Sequence, residues 1–231
     1  MLSIIIPTLN EEKYLPLLLD SLAEQTFRNF EVIVADAGSK DGTRQAAAEA
    51  GCLVIDGGLP GTGRNNGARD ARGEWLFFLD ADVILPPGFL QVVMDEIREK
   101  GLDIASCTVE PLNGSKLDRL LHGVVNLYFK ATQKFWPHAP GFCIIVRKKI
   151  HNSINGFDEK IQLAEDHDYV RRASRVGRFA YIKKVKIPVS VRRLEKDGRL
   201  TIGVKYLLAE AHLIFLGPIR SNIFNYKFGH F

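Results

Sequence analysis

Short apolar, β-branched runs alternate along this chain with longer stretches of helical periodicity, and the alternation predicts its architecture. Residues 2–6 form an apolar run ended by Pro7, which reads as a buried strand. Asn10 can cap a helix, with Glu11 and Glu12 near its positive end and a stripe through Leu17, Leu18, Leu19 and Leu22. Residues 30–35 are a second strand, with Asp36-Ala37-Gly38-Ser39 as the turn after it. An Ala-rich helix from Thr43 to about Ala50 and a third strand over 52–55 follow. Next come a glycine-dense loop over 57–63, a helix over 65–71, and a fourth strand over 75–79 that runs into Asp80-Ala81-Asp82.

Beyond Pro86 the pattern continues with a helix to about Lys100, a strand over 103–109 and a helix over 117–130. Then come a strand over 142–146, a helix over 165–176 and a strand over 179–185. Strands alternating with helices imply parallel β-α-β units. No repeat period and no Pro/Ser-rich linker appears, so one α/β domain is expected. The segment 200–216 is apolar but carries Lys205, Glu210 and His212, which argue against a membrane span. It reads as a core or interface helix, or as a helix lying at a membrane surface.

Composition narrows the classes. A length of 231 residues can bury one sizeable core, and 46% hydrophobic with 25% charged residues excludes global disorder. Cys52, Cys107 and Cys143 are scattered without CxxC or Cys/His spacing, so neither a disulfide scaffold nor a zinc site is expected. The N-terminal apolar run is too short for a signal peptide. A cytoplasmic protein is expected, peripheral at the inner membrane face if the basic end meets lipid. Residues 171–231 hold 14 Lys/Arg against 3 Asp/Glu, whereas residues 1–170 hold 17 against 24. The basic excess suits phosphates, an anionic membrane surface or plain solvent.

Open parallel sheets gather ligands beyond the carboxyl ends of their strands. Three acidic turns fall there: Asp36, Asp80/Asp82 and Glu165-Asp166. Two carboxylates at i and i+2 after an apolar strand need a cation or strong donors, and Mg²⁺ or Mn²⁺ is the fitting class. The spacing Gly61-x-Gly63-x-x-x-Gly67 departs from the dinucleotide fingerprint and follows the third strand rather than the first. Trp136 and His138, in the loop that ends at Gly141, border an acceptor pocket or form a plain turn. Arg192 and Arg193 reach a diphosphate or an anionic acceptor, or stand in a solvated basic loop.

The chain resembles the family 2 glycosyltransferases, which adopt the GT-A fold: Rossmann-like, with a mostly parallel central sheet flanked by helices. The matching pieces are Ile4-Ile5-Ile6-Pro7-Thr8-Leu9-Asn10-Glu11-Glu12, Val34-Ala35-Asp36-Ala37-Gly38-Ser39-Lys40-Asp41-Gly42-Thr43 and Gly63-Arg64-Asn65-Asn66-Gly67-Ala68. Ala71-Arg72-Gly73-Glu74, Leu79-Asp80-Ala81-Asp82, Gly156-Phe157-Asp158-Glu159 and Glu165-Asp166-His167-Asp168 follow in the family's order over about residues 2–177. The resemblance implies that Pro7, Thr8 and Glu11 line the nucleotide pocket, that Asp36 holds the base or ribose, and that Arg64 sits near the diphosphate. It implies that Asp82, helped by Asp80, ligates Mg²⁺ or Mn²⁺ on the diphosphate, and that Asp80 and Ala81 contact the nucleotide-sugar. Asp166 would be the catalytic base toward the acceptor hydroxyl, with Glu165 and Gly141 contacting the acceptor or the diphosphate. Ala37 stands where the family often has a second acid.

The implied activity is inverting transfer from a UDP- or GDP-type sugar to a sugar or lipid-linked acceptor. The implied layout is a GT-A domain over 1–195, with a nucleotide-sugar half (1–110) and an acceptor half (111–195). A basic, apolar helical extension would cover 196–231. One rival is a sugar-1-phosphate nucleotidyltransferase, which wants a basic glycine-rich loop after the first strand, where this chain has Asn10-Glu11-Glu12. The other is a non-catalytic basic module for a membrane surface. No nucleic-acid motif accompanies the charge, so no nucleic-acid partner is expected.

Overall fold

The computed structural model describes residues 1–221 and 223–224. In chain order the first elements are β1 (Leu2–Thr8), α1 (Leu15–Ala23), β2 (Phe30–Asp36), α2 (Thr43–Glu49), β3 (Leu53–Asp56), α3 (Pro60–Asp70), β4 (Trp75–Phe78) and α4 (Phe89–Lys100). Then come β5 (Ile104–Leu112), α5 (Lys116–Thr132), β6 (Ile144–Arg147), α6 (Lys148–Ser153), α7 (Glu165–Ser174), β7 (Phe179–Ser190), α8 (Arg192–Lys196) and α9 (Arg199–Phe215). The expected extension over 196–231 runs on into 225–231, which lie outside the described residues.

The strands form one sheet in the order β3-β2-β1-β4-β6-β5-β7. β1, β2, β3 and β4 pair in parallel, as do β5 and β7, whereas β6 runs antiparallel between β4 and β5. The expectation of a mostly parallel α/β sheet is met, with this one reversed strand inside it.

Side-chain alternation along the strands builds two cores. In β1, Leu2, Ile4 and Ile6 point to the layer of α1 and α4, while Ile5 points to the other face. In β4, Trp75 and Phe77 join the first layer, and Leu76 and Phe78 pack with α3, α6 and α7. Because both faces are covered, the strands read as unbroken apolar runs rather than alternating ones.

Local expectations differ from the structure in two informative places. The first helix starts at Leu15, not at Asn10, which sits at φ 57° and turns its carboxamide to accept from the Lys40 N–H at 2.9 Å. The glycine-dense stretch is mostly helix: α3 begins at Pro60, where a missing N–H costs nothing. A side chain at Gly67 would collide with Ile5 of β1, so the glycine there permits close helix–sheet approach.

Candidate active site

The parallel strands deliver β1, β2 and β4 to one edge with their carboxyl ends in register, Thr8 opposite Asp36. β7 reaches the same edge, where the Ser190 N–H donates to the Asp82 carbonyl at 3.1 Å. Four strand ends therefore frame one mouth.

On the β1–β2 side, the buried Asp36 carboxylate organises its own turn. It accepts from Gly38 N at 3.1 Å, Ser39 N at 3.0 Å, Ser39 Oγ at 2.5 Å and Thr8 Oγ1 at 3.1 Å, and it pairs with Arg44 at 3.3 Å. Burial pushes this carboxyl up, but the donors from Ser39, Arg44 and Thr8 outweigh it and hold the group below the ordinary range. The loops after β1 and β2 are stitched together, with Asn10 N donating to Ser39 Oγ at 2.8 Å and Glu11 N to Thr43 Oγ1 at 2.8 Å.

Arg64 occupies the middle. It is 2% exposed and reaches Asp80 Oδ1 at 2.8 Å and Glu165 Oε1 at 2.7 Å. Desolvation works against its charge, but Asp80, Glu165 and Asp166 more than offset that and raise its pKa. Glu165 is pushed up by burial and by Asp166, with Arg64 opposing. A Cβ at Gly141 would lie 2.6 Å from Arg64 Nη2, so a side chain there would have to push the guanidinium aside. The Gly141 N–H donates to Asp166 Oδ2 at 2.7 Å and the His167 N–H to Oδ1 at 2.8 Å, which fixes both oxygens of that carboxylate.

Asp80 and Asp82 leave β4 with Ala81 between them turned into the core. Burial pushes the Asp82 carboxyl up to about 6; Arg192 opposes this, while Asp80 and Glu11 add to it. Arg192 grips Glu11 with two bonds, at 2.9 and 2.6 Å, lies 3.2 Å from Asp82 Oδ2, and stacks over Tyr14 at 4.3 Å. Arg193 lies beside Tyr206 of α9 and close enough to Asp82 to act on its charge. Of the sequence-predicted residues, Asp80, Asp82, Arg64, Glu165, Asp166, Gly141, Glu11 and Arg192 thus form one connected network. Thr8, Asp36 and Pro7 border it on the β1–β2 side.

Trp136 and His138 are placed differently from the expectation of a simple pocket border. Both turn to Glu210 of α9: Trp136 Nε1 donates to Oε1 at 2.8 Å and His138 Nε2 lies 2.9 Å away, while Tyr128 of α5 donates its hydroxyl at 3.0 Å. His167, next to Asp166, stands 3.6 Å from Oε2. Glu210 is held well below its ordinary range: burial works the other way, but His138, His167 and Trp136 outweigh it. Burial keeps His138 low, and His167 is raised, its burial outweighed by Asp166 and Glu210. The two imidazoles and the carboxylate lie close enough to suggest a metal cluster. The indole and phenol donors converge on Oε1 and make Glu210 a hydrogen-bond hub. Sequence reasoning missed Tyr128, His167 and Glu210. The available signal was a lone acid in an apolar helix, which needs partners when packed.

Comparison with known proteins gives the fold a context. A family model described as glycosyl transferase family 2 matches residues 3–154. An uncharacterized glycosyltransferase of Haemophilus influenzae is 36% identical over 116 residues, covering 43% of this chain and 35% of that protein. The poly(ribitol-phosphate) beta-N-acetylglucosaminyltransferase TarS of Staphylococcus aureus is 34% identical over 140 residues, covering 56% of this chain and 23% of that protein. A TarS crystal structure with UDP-GlcNAc matches with a TM-score of 0.68 at 25% identity, over 82% of this chain and 58% of that one. A mannosyltransferase of Pyrobaculum calidifontis in complex with GDP-Man and Mn²⁺ matches with a TM-score of 0.70 at 20% identity, over 94% and 70%. The likeness shows the GT-A fold. The chain spans roughly a quarter to a third of the length of these two relatives by sequence.

Proposed function

This chain belongs to glycosyl transferase family 2, and from that premise we propose that it transfers a sugar from a UDP- or GDP-type donor to an acceptor hydroxyl with inversion at the anomeric carbon. The observation that carries the reading is Arg64, whose two ends bind Asp80 after β4 and Glu165 beside Asp166. One buried cation thereby joins the acidic turn suited to a diphosphate with the carboxylate suited to an acceptor.

The residues fit a divalent cation. Asp80 and Asp82 are hard oxygen donors two positions apart, and Asp82, raised mainly by burial and further by Asp80 and Glu11 against the pull of Arg192, would be stabilised in its charged form by a cation. Asp82 and Asp80 would hold Mg²⁺ or Mn²⁺, which supplies charge stabilisation to a departing nucleoside diphosphate. Thr8, Pro7, Glu11 and the turn fixed by Asp36 would line the nucleoside, and Arg64 would stand by the diphosphate. The solved neighbours with UDP-GlcNAc and with GDP-Man and Mn²⁺ support this donor class.

Asp166 would take the proton from the acceptor O–H as the oxygen attacks the anomeric carbon and the bond to the diphosphate breaks. Its two N–H donors, from Gly141 and His167, hold its oxygens in a fixed orientation, as a general base needs. The acceptor would be a sugar or lipid-linked hydroxyl, approaching over the 136–141 loop.

The test is nucleoside diphosphate release from a panel of UDP- and GDP-sugars with sugar and lipid-linked acceptors, in Mg²⁺ or Mn²⁺. Acceptor-dependent release with at least one donor supports the reading. Pyrophosphate release from a nucleoside triphosphate and a sugar phosphate would favour a nucleotidyltransferase instead.

A further inference from the structure

The outward faces of α5 and α9 take no part in this site. α5 spends its inner side on polar anchors. Asp118 pairs with Arg199 at 2.7 and 2.8 Å, Asn126 brackets the backbone of Val109, and Phe129 stacks on His138 and Tyr181. Left outside are Leu117, Leu120, Val124 and Leu127, between 52% and 69% exposed. α9 buries Ile202, Ala209 and Leu213 and turns outward Leu200, Val204, Leu207 and Phe215, between 45% and 82% exposed. The outer set of α5 recurs at three- and four-residue steps, and that of α9 at four, three and then eight (two turns), so each helix carries an apolar stripe facing away from its own core.

The two helices lie side by side. Arg199, at the start of α9, meets Asp118 near the start of α5, and Glu210 meets Tyr128 about three turns further along both. They therefore run in the same direction, each with its stripe on the solvent side. So much exposed apolar side chain is rare on a monomeric soluble protein and marks a docking face.

Charge selects the occupant. Within α5 and α9 the acids are Asp118 and Glu210, and both are turned inward to partners. The charges left toward solvent are Lys116, Arg119, Lys130 and Lys205. At the carboxyl end of α5 opens a cleft of about 680 Å³ whose lining includes Lys134, Arg171, Arg175, Arg178 and Lys183 and no carboxylate. The solvent-facing charges within α5 and α9 are thus cations, the exposed acids Glu195 and Asp197 being confined to the segment before α9, and an apolar stripe of this kind matches an anionic bilayer surface. A symmetric pairing of two copies would set those cations against each other. No helix among the described residues is long and apolar enough to cross a membrane, so the geometry is one of lying in the interface.

We infer that α5 and α9 together form an interfacial docking face for a bilayer rich in anionic phospholipid. The stripe enters the headgroup region while the basic cleft beside it meets lipid phosphates. The inference does not rest on the donor reading: Asp80, Asp82 and Asp166 lie outside both helices, and vesicle binding needs no nucleotide. It has a consequence for that reading, because Glu210 ties α9 to the loop that holds Asp166, which places the base beside a lipid-bound acceptor.

The test is flotation of the full chain with phosphatidylcholine vesicles, with and without phosphatidylglycerol, at low and high salt. Binding to the anionic vesicles is expected, weaker by about tenfold on neutral vesicles or when salt is raised to about 0.5 M. The double substitutions Leu120→Glu/Val124→Glu and Leu207→Glu/Phe215→Glu should each weaken binding by about tenfold or more. Their circular dichroism and thermal unfolding should match the parent chain. Indifference of the parent chain to anionic lipid and salt overturns the inference whatever the variants do. So does vesicle binding unchanged in well-folded variants, or a dimer in solution that the substitutions dissociate.

Discussion

The two sides of the mouth are built on different principles. The side of β1, β2, α3 and β4 is held by sheet pairing and by close apolar contact, with Ile4, Ile5, Ile6, Phe77 and Phe78 wholly buried. The side of α5, the 136–141 loop and α9 hangs on polar clamps: Asp118–Arg199, Asn126 on Val109, and the donors converging on Glu210. Packed apolar structure tolerates few changes but yields in small steps. A polar clamp in a half-buried setting fails when one partner is lost, since the rest is left unsatisfied. The donor side should therefore behave as a rigid platform and the acceptor side as a unit that can be loosened separately.

The largest expected effect separates chemistry from platform. Asp166→Asn should lower kcat by about a thousandfold, within the usual range for a general base, while nucleotide affinity and unfolding temperature stay at the parent values. Steady-state kinetics beside nucleotide titration checks this. Next is Glu210→Ala, which strips the hub of its acceptor and should cost about 2–4 kcal/mol of stability. Transfer should fall with it while nucleotide binding persists, measured by denaturant unfolding and calorimetry on one preparation.

The same hub gives the comparison a pH signature. The Glu210 carboxyl is depressed on folding, so its contribution is complete above the ordinary value of 4.5 and fades as pH falls below it. His167 is raised, so its contribution is complete below 6.5 and fades as pH climbs past its higher folded value. Burial depresses His138, with Glu210 opposing, and Asp166, Arg171, Trp136 and Tyr128 also face the cluster. Fluorescence of Trp136 in a Trp75→Phe background should show the hub loosening in acid before the donor side unfolds.

Smaller effects come from paired glycines. Gly67→Ala drives a methyl into Ile5 and should cost about 1–3 kcal/mol with little change in kcat per folded molecule. Gly141→Ala presses on Arg64 and should lower kcat about tenfold or more at nearly unchanged stability. Equal stability losses at both positions would erase the contrast between platform and clamp. The smallest effect is expected at Arg44→Ala, an exposed partner of Asp36 and Asp56, where the unfolding temperature should be nearly unchanged.

Legibility in the sequence followed the same divide. The donor side announces itself because β1, β2 and β4 are largely apolar runs, with β2 and β4 leading into acids, and sequence order alone brings Asp36 and Asp80/Asp82 to one edge. α3 was harder, since glycines that normally signal a loop here thin a helix so that it can lie on β1. The acceptor side was legible in its motifs but not in its wiring. Glu165-Asp166 stands where a helix was expected to open, yet the partners of Trp136 and His138 come from α9, more than seventy residues away. Periodicity reports which face of a helix is apolar; it does not report which distant carboxylate a buried imidazole will find. The reversed direction of β6 escaped for the same reason, because an apolar run carries no sign of its partner's orientation.

The account rests on Asp80 and Asp82 taking a divalent cation together with a nucleotide's phosphates, at a site that Arg64 links to Asp166. Calorimetric titration of UDP and GDP into the parent chain and into Asp82→Asn, each with and without Mn²⁺, tests that most directly. The predicted result is nucleotide binding that strengthens about tenfold or more with Mn²⁺ in the parent chain and loses that dependence in the variant, at equal unfolding temperature. Binding of equal strength with and without the metal, or a variant that keeps the parent's metal dependence, would contradict it.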